Sequence, residues 1–346
     1  MKIIMITNHA CMRCHKEAIC LMHRSHKVHL ITNKLTQYSD LYESIMVYQD
    51  IHQMRNAIKM HADANIFHCH NEPSWFVTVV KELFPDAKVV LDVHDSLLLR
   101  REHDEVEKAN DPEIFRISAD ERNNIQLADG LVYVCKPMQE IVEEEFSPGK
   151  PNIVLPSALP RQFYRIDFVR WEQALVYEGR IDNDRELEKQ WGFFKYSNYI
   201  EFAKKCRKHN IPFHIYTPRK NEEVRSDYSP HCVLHEPLAY DKFIKEMGRH
   251  DWGLVGNCFP TPEWKYALPN KLFEYMAACL PVICFNADES WNFIKDYGMG
   301  IKVDSFEEIA DRWAEHRVCR QNVIKHRHKF CLENYIGSLE ELYYKL

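Results

Sequence analysis

The chain alternates between short apolar runs and longer stretches whose apolar positions have helical spacing. Runs such as KIIMIT at residues 2–7 and KVVLDV at residues 88–93 are rich in Ile and Val. Such runs are typical of strands buried inside a parallel sheet, and the amphipathic stretches between them are typical of crossover helices. The pattern therefore predicts a succession of right-handed βαβ units.

This alternation occurs twice along the chain. In the first half we predict strands at residues 2–7, 27–32, 65–69, 88–93, 131–135 and 152–155, helices at 15–25, 51–62, 73–84 and 137–146, and a helical stretch at 99–125. In the second half we predict strands at residues 174–178, 212–217, 231–234, 251–255, 281–285 and 299–303, and helices at 195–209, 239–249 and 270–278. Residues 156–172, with two prolines and no clear period, are the predicted linker. We therefore expect two Rossmann-like, doubly wound α/β domains with a cleft between them.

The composition agrees with two domains and adds few constraints on function. The chain has 346 residues, and a domain usually has about 100–200. Its net charge of −6 is not that of a typical nucleic-acid binder, although the basic cluster HRHK at residues 326–329 keeps that function open. The sequence lacks both a long apolar run and the layout of a signal peptide. We expect a cytoplasmic protein, with peripheral association with a membrane left open.

The twelve cysteines are scattered and several lie inside apolar runs, so we expect reduced thiols. Cys11, Cys14 and His15 have the C-x-x-C-H spacing of covalent haem attachment. That attachment requires an exported protein, and a zinc site would require a second ligand pair that the sequence does not offer at suitable spacing. We expect a coincidental spacing and no metal site, and an absorption spectrum of the purified protein would test the haem alternative.

Doubly wound sheets bind ligands beyond the carboxyl ends of their strands. Polar residues that directly follow predicted strands are therefore the candidates for function. In the first half they are Asn8, His9, His70, Asn71, His94 and Asp95, and in the second half Gly179, Arg180, Thr217 and the loop 256–271.

The segment LPNKLFEYMAACLPVICF, residues 268–285, is the most specific in the chain. It resembles the nucleotide-sugar motif of retaining glycosyltransferases of the GT-B fold, family 4 (the group 1 glycosyltransferases), with the usual glycine replaced by Cys279. VYEGRID at 176–182, VVLDVHDS at 89–96 and LADGLVYVCKPM at 127–138 resemble further segments of that family in the same order. In all, the resemblance extends over about residues 2–310.

The resemblance implies that one domain binds the acceptor and the other binds the nucleotide-sugar donor. Residues 1–158 would form the acceptor domain and residues 159–329 the nucleotide-sugar donor domain. The last segment, residues 330–346, resembles the closing helix of the family, which packs back on the first domain.

For the donor, the resemblance implies that Glu274 accepts hydrogen bonds from the two ribose hydroxyls, which is a strong contact for an ionised acceptor. We predict Glu274 in the first turn of its helix, so that stabilisation of the carboxylate by the helix dipole is the alternative interpretation. The diphosphate would bind at the amino end of the same helix. The residues implied there are Pro269, Asn270, Lys271 and Leu272.

Arg180 is implied to stabilise the departing diphosphate, because its guanidinium matches phosphate oxygens. Gly179 before it allows close approach of the backbone. A surface arginine in a turn is the alternative interpretation. Family members usually add a lysine a few residues further on, and the alternatives for it here are Arg185, Lys189 and Lys195.

His94 is implied to lie near the donor sugar and the reacting centre, and we group it with Arg180 and Lys271 as catalytic. The alternative for His94 is a strand-end histidine that is hydrogen-bonded to Asp95 and has no part in chemistry. The candidates for the acceptor side are Arg13, His70, Asn71 and Asp95.

The chain departs from the family at one position of consequence. Many members carry a second glutamate eight residues before the first, in contact with the donor sugar. Tyr266 occupies that position here, and Glu263 is nearby but out of register. The first loop also lacks the glycines of many members.

The resemblance predicts a hexosyl- or pentosyltransferase that moves a sugar from a nucleotide-diphosphate sugar to an acceptor hydroxyl with retention of configuration. No metal or other cofactor is expected, because helix amides and arginine would hold the phosphates. The acceptor, whether a glycan, a lipid-linked sugar, a protein or a nucleic acid, is left open. The alternatives are a non-catalytic nucleotide-sugar-binding or partner subunit, which Tyr266 suggests, and a GT-B transferase that glycosylates modified DNA bases.

Overall fold

The computed structural model describes residues 1–9, 11–35, 38–70, 75–94, 96, 112–164, 172–185, 197–260 and 262–346. The chain divides into two compact units. The first unit comprises Met1–Pro160 together with Leu332–Leu346, and the second comprises Arg161–Cys331. Of the predicted site residues, Asn71 and Asp95 lie outside the described residues.

The first unit is built on a parallel sheet of seven strands in the order β3-β2-β1-β4-β5-β6-β7. The strands are β1 (Lys2–His9), β2 (Lys27–Lys34), β3 (Ser44–Val47), β4 (Ile66–His70), β5 (Val89–Val93), β6 (Gly130–Tyr133) and β7 (Asn152–Val154). Every residue of β4 and β5 is buried, as expected for strands of a parallel sheet that is covered on both faces.

The helices of this unit are α1 (Met12–His23), α2 (Ile51–Lys59), α3 (Phe76–Leu83), α4 (Pro112–Leu127) and α5 (Lys136–Phe146). The Cys11–Cys14–His15 spacing falls at the start of α1, where it serves packing. The Cys14 thiol lies 3.6 Å from the Met5 sulfur, and His15 Nδ1 is 2.8 Å from the Tyr42 hydroxyl.

The second unit is built on a parallel sheet of six strands in the order β10-β9-β8-β11-β12-β13. The strands are β8 (Glu172–Glu178), β9 (Phe213–Tyr216), β10 (Val233–His235), β11 (His250–Gly256), β12 (Val282–Phe285) and β13 (Gly300–Val303). The helices are α6 (Ile200–Lys208), α7 (Glu222–Tyr228), α8 (Tyr240–Met247), α9 (Pro262–Tyr266), α10 (Asn270–Ala277), α11 (Asp288–Ile294), α12 (Phe306–Asp311) and α13 (His316–His326).

The last helix, α14 (Ile336–Lys345), belongs to the first unit. Its Glu340 carboxylate accepts from Arg24 Nε at 2.5 Å and is 2.6 Å from His26 Nε2. A β-carbon placed on Gly130 of β6 would lie only 3.2 Å from Leu342 Cδ1, so the helix covers the sheet at that point. No helix within the described ranges is long and apolar enough to cross a bilayer.

Candidate functional site

In the second unit, the candidate donor residues lie at the start of α10 and just after β8. Helix α10 begins at Asn270 after Pro269, which is extended with φ −76° and ψ 159°. Its residues from Leu272 to Ala277 are all buried. The first turn therefore offers its backbone amides at the amino end of a helix that is anchored by its own core face.

Glu274 is the fifth residue of α10, so our prediction that it lies in the first turn is wrong. The helix begins only after the extended Pro269, which moves Glu274 into the second turn. The side chain is 4% exposed, and Oε1 accepts a hydrogen bond of 2.8 Å from the Tyr240 hydroxyl. Because the dipole effect falls off within the first turn, this position weakens the interpretation of Glu274 as a dipole-stabilised carboxylate.

Gly179 brings the end of β8 up against Lys271. Its φ is +133°, and a β-carbon there would lie 3.0 Å from the Tyr177 hydroxyl and 3.7 Å from Lys271 Nζ. The Lys271 ammonium lies 5.2 Å from the centre of the Tyr177 ring and 4.9 Å from that of Trp264. Tyr177 donates to the Arg180 carbonyl at 3.0 Å. The structure thus places the Gly179 backbone beside the Lys271 ammonium, with the Arg180 carbonyl bonded to the tyrosine that Lys271 contacts.

Arg180 is oriented by a buried carboxylate. Its Nε donates to Asp182 Oδ2 at 2.5 Å, and its side chain remains 35% exposed. Ser197 Oγ donates to the same oxygen at 2.9 Å, and Arg219 Nη2 lies 3.1 Å from Asp182 Oδ1. Asp182 therefore holds two guanidinium groups at the carboxyl ends of β8 and β9, which are neighbours in the sheet.

Sequence reasoning missed Arg219 as the second cation near Arg180. Among the alternatives considered, Arg185 pairs with Glu223 and Asp227 and its side chain is 60% exposed, whereas Lys189 and Lys195 lie outside the described residues. The signal for Arg219 was its place three residues after β9.

Two further contacts fix α10 in the second unit. The Tyr275 ring packs on Gly253 of β11 so closely that a β-carbon there would lie 2.5 Å from Tyr275 Cδ2. The Glu178 backbone N–H donates to the Tyr275 hydroxyl at 3.1 Å. Cys279, which follows the helix, has φ +59°, the left-handed conformation in which glycine is usual after a helix.

In the first unit, Arg13 and His94 meet on Asp92 of β5. Arg13 Nε donates to the two Asp92 oxygens at 2.9 and 3.1 Å, and His94 Nδ1 lies 3.0 Å from Asp92 Oδ1. The His70 ring lies at the end of β4, with its centre 5.9 Å from that of His94. The structure therefore joins three of the predicted residues around a carboxylate that the sequence analysis had assigned only to a strand.

Charge and burial compete in this cluster. Burial raises the pKa of Asp92, but the charge of Arg13 and the hydrogen bond with His94 outweigh it and hold that pKa well below its usual range. Burial lowers the pKa of His70 well below its usual value, so this ring is neutral at pH 7. Burial also opposes ionisation of the Cys11 thiol, but hydrogen bonding with His94 and the charge of His94 lower its pKa. The cluster therefore contains an ionised Asp92 that orients His94.

The residues of this cluster differ in how far they are exposed to solvent. Arg13 is 2% exposed and His70 is fully buried, whereas the His94 side chain is 14% exposed. The geometry favours His94 as the member that reaches a ligand and Arg13 and His70 as residues that position it.

Comparison with solved structures identifies the architecture of the whole chain. A sucrose-phosphate synthase from Thermosynechococcus elongatus has a TM-score of 0.73 at 13% identity, over 100% of this chain and 98% of that chain. The Anabaena protein HepE in complex with UDP and glucose has a TM-score of 0.70 at 9% identity, over 100% of both chains. The chain has the GT-B fold.

An α-glucosyltransferase in complex with UDP and a 13-mer DNA containing an HMU base also shares the GT-B fold, with a TM-score of 0.64 at 10% identity over 99% of both chains. Residues 193–328 match the family model described as Glucosyltransferase 3-like, C-terminal domain. This match covers α10 and most of the second unit. No curated protein matches the chain in a sequence comparison.

Proposed function

We propose that the protein is a glycosyltransferase that takes its sugar from a UDP-sugar bound by the second unit. The observation that carries this proposal is the approach of Gly179, at the end of β8, to Lys271 in the first turn of α10, with the buried Glu274 one turn further on. The family model that matches residues 193–328 supports glycosyl transfer. The complexes of HepE with UDP and glucose, and with UDP-glucose, support UDP as the nucleotide.

The diphosphate would bind where positive charge and backbone amides coincide. The first-turn amides of α10 point out of the helix end and favour an anion. Lys271 contributes a point charge, and Arg180 contributes a guanidinium that Asp182 already holds in place. Preorganised donors of this kind stabilise the charge that develops on a departing diphosphate.

Glu274 would hold the ribose. The Tyr240 hydroxyl uses one lone pair of Oε1, and a carboxylate has about four lone-pair sites in all. The carboxylate can therefore accept from a vicinal diol while Tyr240 fixes its orientation. Tyr240 is in this view a positioning residue, and Glu274 is the residue that touches the nucleotide.

The transfer itself is proposed to proceed with retention of configuration, as in the family that the sequence resembles. The diphosphate leaves against Arg180 and Lys271, and its oxygen takes the proton of the acceptor hydroxyl as that hydroxyl attacks the anomeric carbon from the same face. His94, oriented by Asp92, is proposed to act near the donor sugar and the reacting centre, as the resemblance implies. No cofactor is proposed for this step.

Ligand-dependent thermal stability tests the donor site directly. A nucleotide present at 100 times its dissociation constant should stabilise the protein by about 2.7 kcal/mol. We expect UDP and UDP-sugars to stabilise the chain more than ADP or GDP compounds. Glu274→Gln should weaken UDP binding by at least about tenfold, or 1.4 kcal/mol. The control is Glu246→Gln, which alters a carboxylate of α8 that is paired with Arg249 and should leave UDP binding unchanged.

The outcomes separate the alternatives. Stabilisation by UDP-sugars together with release of UDP supports the enzyme, and stabilisation with no turnover for any acceptor supports a non-catalytic sugar-nucleotide binder. Lack of stabilisation by any nucleotide, or equal binding by Glu274→Gln and the parent, contradicts the donor site.

Transfer to modified bases of DNA is the second candidate, because one neighbour of the same fold is complexed with such DNA. The basic segment at residues 326–329 does not support it as a surface patch, since Arg327 is fully buried and its guanidinium lies 5.7 Å from the Tyr164 ring centre. Binding of HMU-containing DNA that weakens with salt would support this candidate. Binding that is absent at low salt would remove it.

A further inference from the structure

Three buried side chains of the first unit converge at the junction of α1 and β4. Glu17 extends from α1, and His68 and His70 extend from the same face of β4. Glu17 Oε2 is 3.9 Å from His68 Nε2 and also 3.9 Å from His70 Nε2. None of the three residues is more than 1% exposed.

The atoms that converge have no hydrogen-bond partner among the described residues. These atoms are both carboxylate oxygens of Glu17, Nε2 of His68 and both ring nitrogens of His70. A buried polar atom left without a partner costs about 1–3 kcal/mol. The protein therefore bears a considerable cost at a single point, and a bound cation would remove it.

The donor atoms match a metal ion of the zinc type. Two imidazole nitrogens and one carboxylate oxygen form a known ligand set for zinc, with bond lengths of about 2.0–2.2 Å. Tetrahedral geometry at those lengths places ligand atoms about 3.4 Å apart. The two 3.9 Å separations are therefore only about half an ångström too long, which side-chain rotation can supply. The stacked His68 and His70 rings, 4.7 Å apart and 10° from parallel, already present the same edge.

The surroundings of the three residues also resemble those of metal ligands. His68 Nδ1 is 2.6 Å from the Tyr343 hydroxyl of α14, and in the tautomer in which Nδ1 donates to that hydroxyl, Nε2 is the atom that can bind a metal. Arg13 Nε lies 3.2 Å from Glu17 Oε1 and 2.9 Å from Asp92 Oδ2. One guanidinium thus faces both carboxyl groups.

A second set of possible ligands, His70, Asp92 and His94, lies beside the first. The Asp92 oxygens in that set already accept from Arg13 and meet His94. Of the Glu17 oxygens, Oε1 lies 3.2 Å from Arg13 Nε, whereas Oε2 accepts no hydrogen bond from the described residues. The free coordinating capacity is therefore on the side of Glu17.

We propose that Glu17, His68 and His70 bind one divalent first-row metal ion of the zinc type, with Tyr343 as a positioning residue. The ion would join α1 to β4 directly beneath the Asp92–His94 pair. The proposal is independent of the donor site in the second unit and takes no part in the sugar-transfer step. It departs from our sequence-based expectation of no metal site, because one ligand comes from a helix far along the chain from the two strand histidines.

Metal content and spectroscopy of the full chain, prepared without a histidine tag, test the site. The protein is stripped with a chelator, mixed with excess Zn²⁺ or Co²⁺, desalted and analysed for bound metal. We expect one equivalent of either ion, and for Co²⁺ the visible absorption of a four-coordinate site with nitrogen and oxygen ligands. Glu17→Gln and His70→Gln should each lose the metal and the absorption.

His61→Gln is the matched control. His61 is another buried histidine of the first unit, 5% exposed, and both of its ring nitrogens also have no hydrogen-bond partner within the ranges that the structure describes. This variant should retain one equivalent of metal. Circular dichroism establishes that each variant is folded.

Tyr343→Phe keeps the test decisive if the ligand variants do not fold, because it leaves all three ligands in place. Loss of the hydroxyl should weaken metal affinity by about 10–100-fold. A sub-stoichiometric metal content in the parent protein would overturn the proposal. Retention of a full equivalent in Glu17→Gln and His70→Gln, unchanged affinity in Tyr343→Phe, or equal loss in His61→Gln would also overturn it.

Discussion

Gly179→Ala is the substitution that most directly tests the geometry at the end of β8. The backbone of Gly179 has φ +133°, a conformation that residues with a β-carbon rarely adopt. The added carbon would also lie 3.0 Å from the Tyr177 hydroxyl, which is tied to the Arg180 carbonyl by a hydrogen bond. The substitution therefore combines backbone strain with a steric contact.

The expected cost follows from these two terms. A residue with a β-carbon that is held in a conformation typical of glycine lowers the free energy of unfolding by about 1–3 kcal/mol. The close contact with the Tyr177 hydroxyl adds to that loss. For a domain of about 150–250 residues, each kcal/mol lowers the melting temperature by about 2–4 °C. We expect a decrease of roughly 2–12 °C in the transition of the second unit. If the loop relaxes instead, Arg180 moves and UDP affinity should fall by at least about tenfold.

Alanine variants of two other glycines distinguish the backbone strain from the steric contact when the full chain is studied by scanning calorimetry. Gly149 has φ +60° with open space around it, so that Gly149→Ala reports strain alone. Gly337, in α14, has neither a positive φ nor a neighbouring atom within 4 Å, so that Gly337→Ala should stabilise by about 0.5–1 kcal/mol. A Gly179→Ala protein that melts and binds UDP like the parent would refute the reasoning.

Three further predictions concern other parts of the chain. Gly253→Ala would place a carbon 2.5 Å from Tyr275 Cδ2, and should cost about 1–3 kcal/mol in denaturant unfolding, so an unchanged midpoint would contradict the packing described. Cys279→Val puts a branched side chain at φ +59° and should be about 1–2 kcal/mol less stable than Cys279→Gly in the same assay, and equal stability of the two variants would contradict this. The hydrogen bond from Arg24 lowers the pKa of Glu340. The stability that Glu340 adds over Glu340→Gln should therefore be present at pH 7 and disappear as the pH falls below about 4. A difference in urea unfolding that does not change with pH would exclude this ion pair as the source of that stability.

Much of the fold follows from the apolar pattern alone. Strands such as β1, β5 and β12 consist of apolar runs buried on both faces, and the sequence predicts them to within a few residues. Strand β3 was not predicted, because its four residues are only partly buried and so carry a weak signal. The short helices α7, α9, α11 and α12 were missed because each has five to seven residues, too few to display a period.

A candidate site residue could be predicted where its place in the local sequence is enough to identify it. It could not be predicted where its role depends on which strands are neighbours in the sheet. Gly179 was a candidate because it follows a predicted strand, and Lys271 because residues 268–285 resemble the nucleotide-sugar motif of a known family. Asp92 was hidden inside an apolar run, and its role depends on Arg13, which the fold brings from 79 residues away. Arg219 was missed because β9 lies beside β8 in the sheet but not in the sequence.

Helix α14 has a consequence for how the protein is made. The second unit is contiguous from Arg161 to Cys331, whereas the first unit needs residues 332–346 as well. During synthesis on the ribosome, the second unit is complete while β6 still lacks its cover of Leu342 and His68 still lacks the Tyr343 hydroxyl. The first unit therefore cannot finish folding until residues 332–346 have been made, so it departs from the simple amino-terminal-first order usual for domains made in succession.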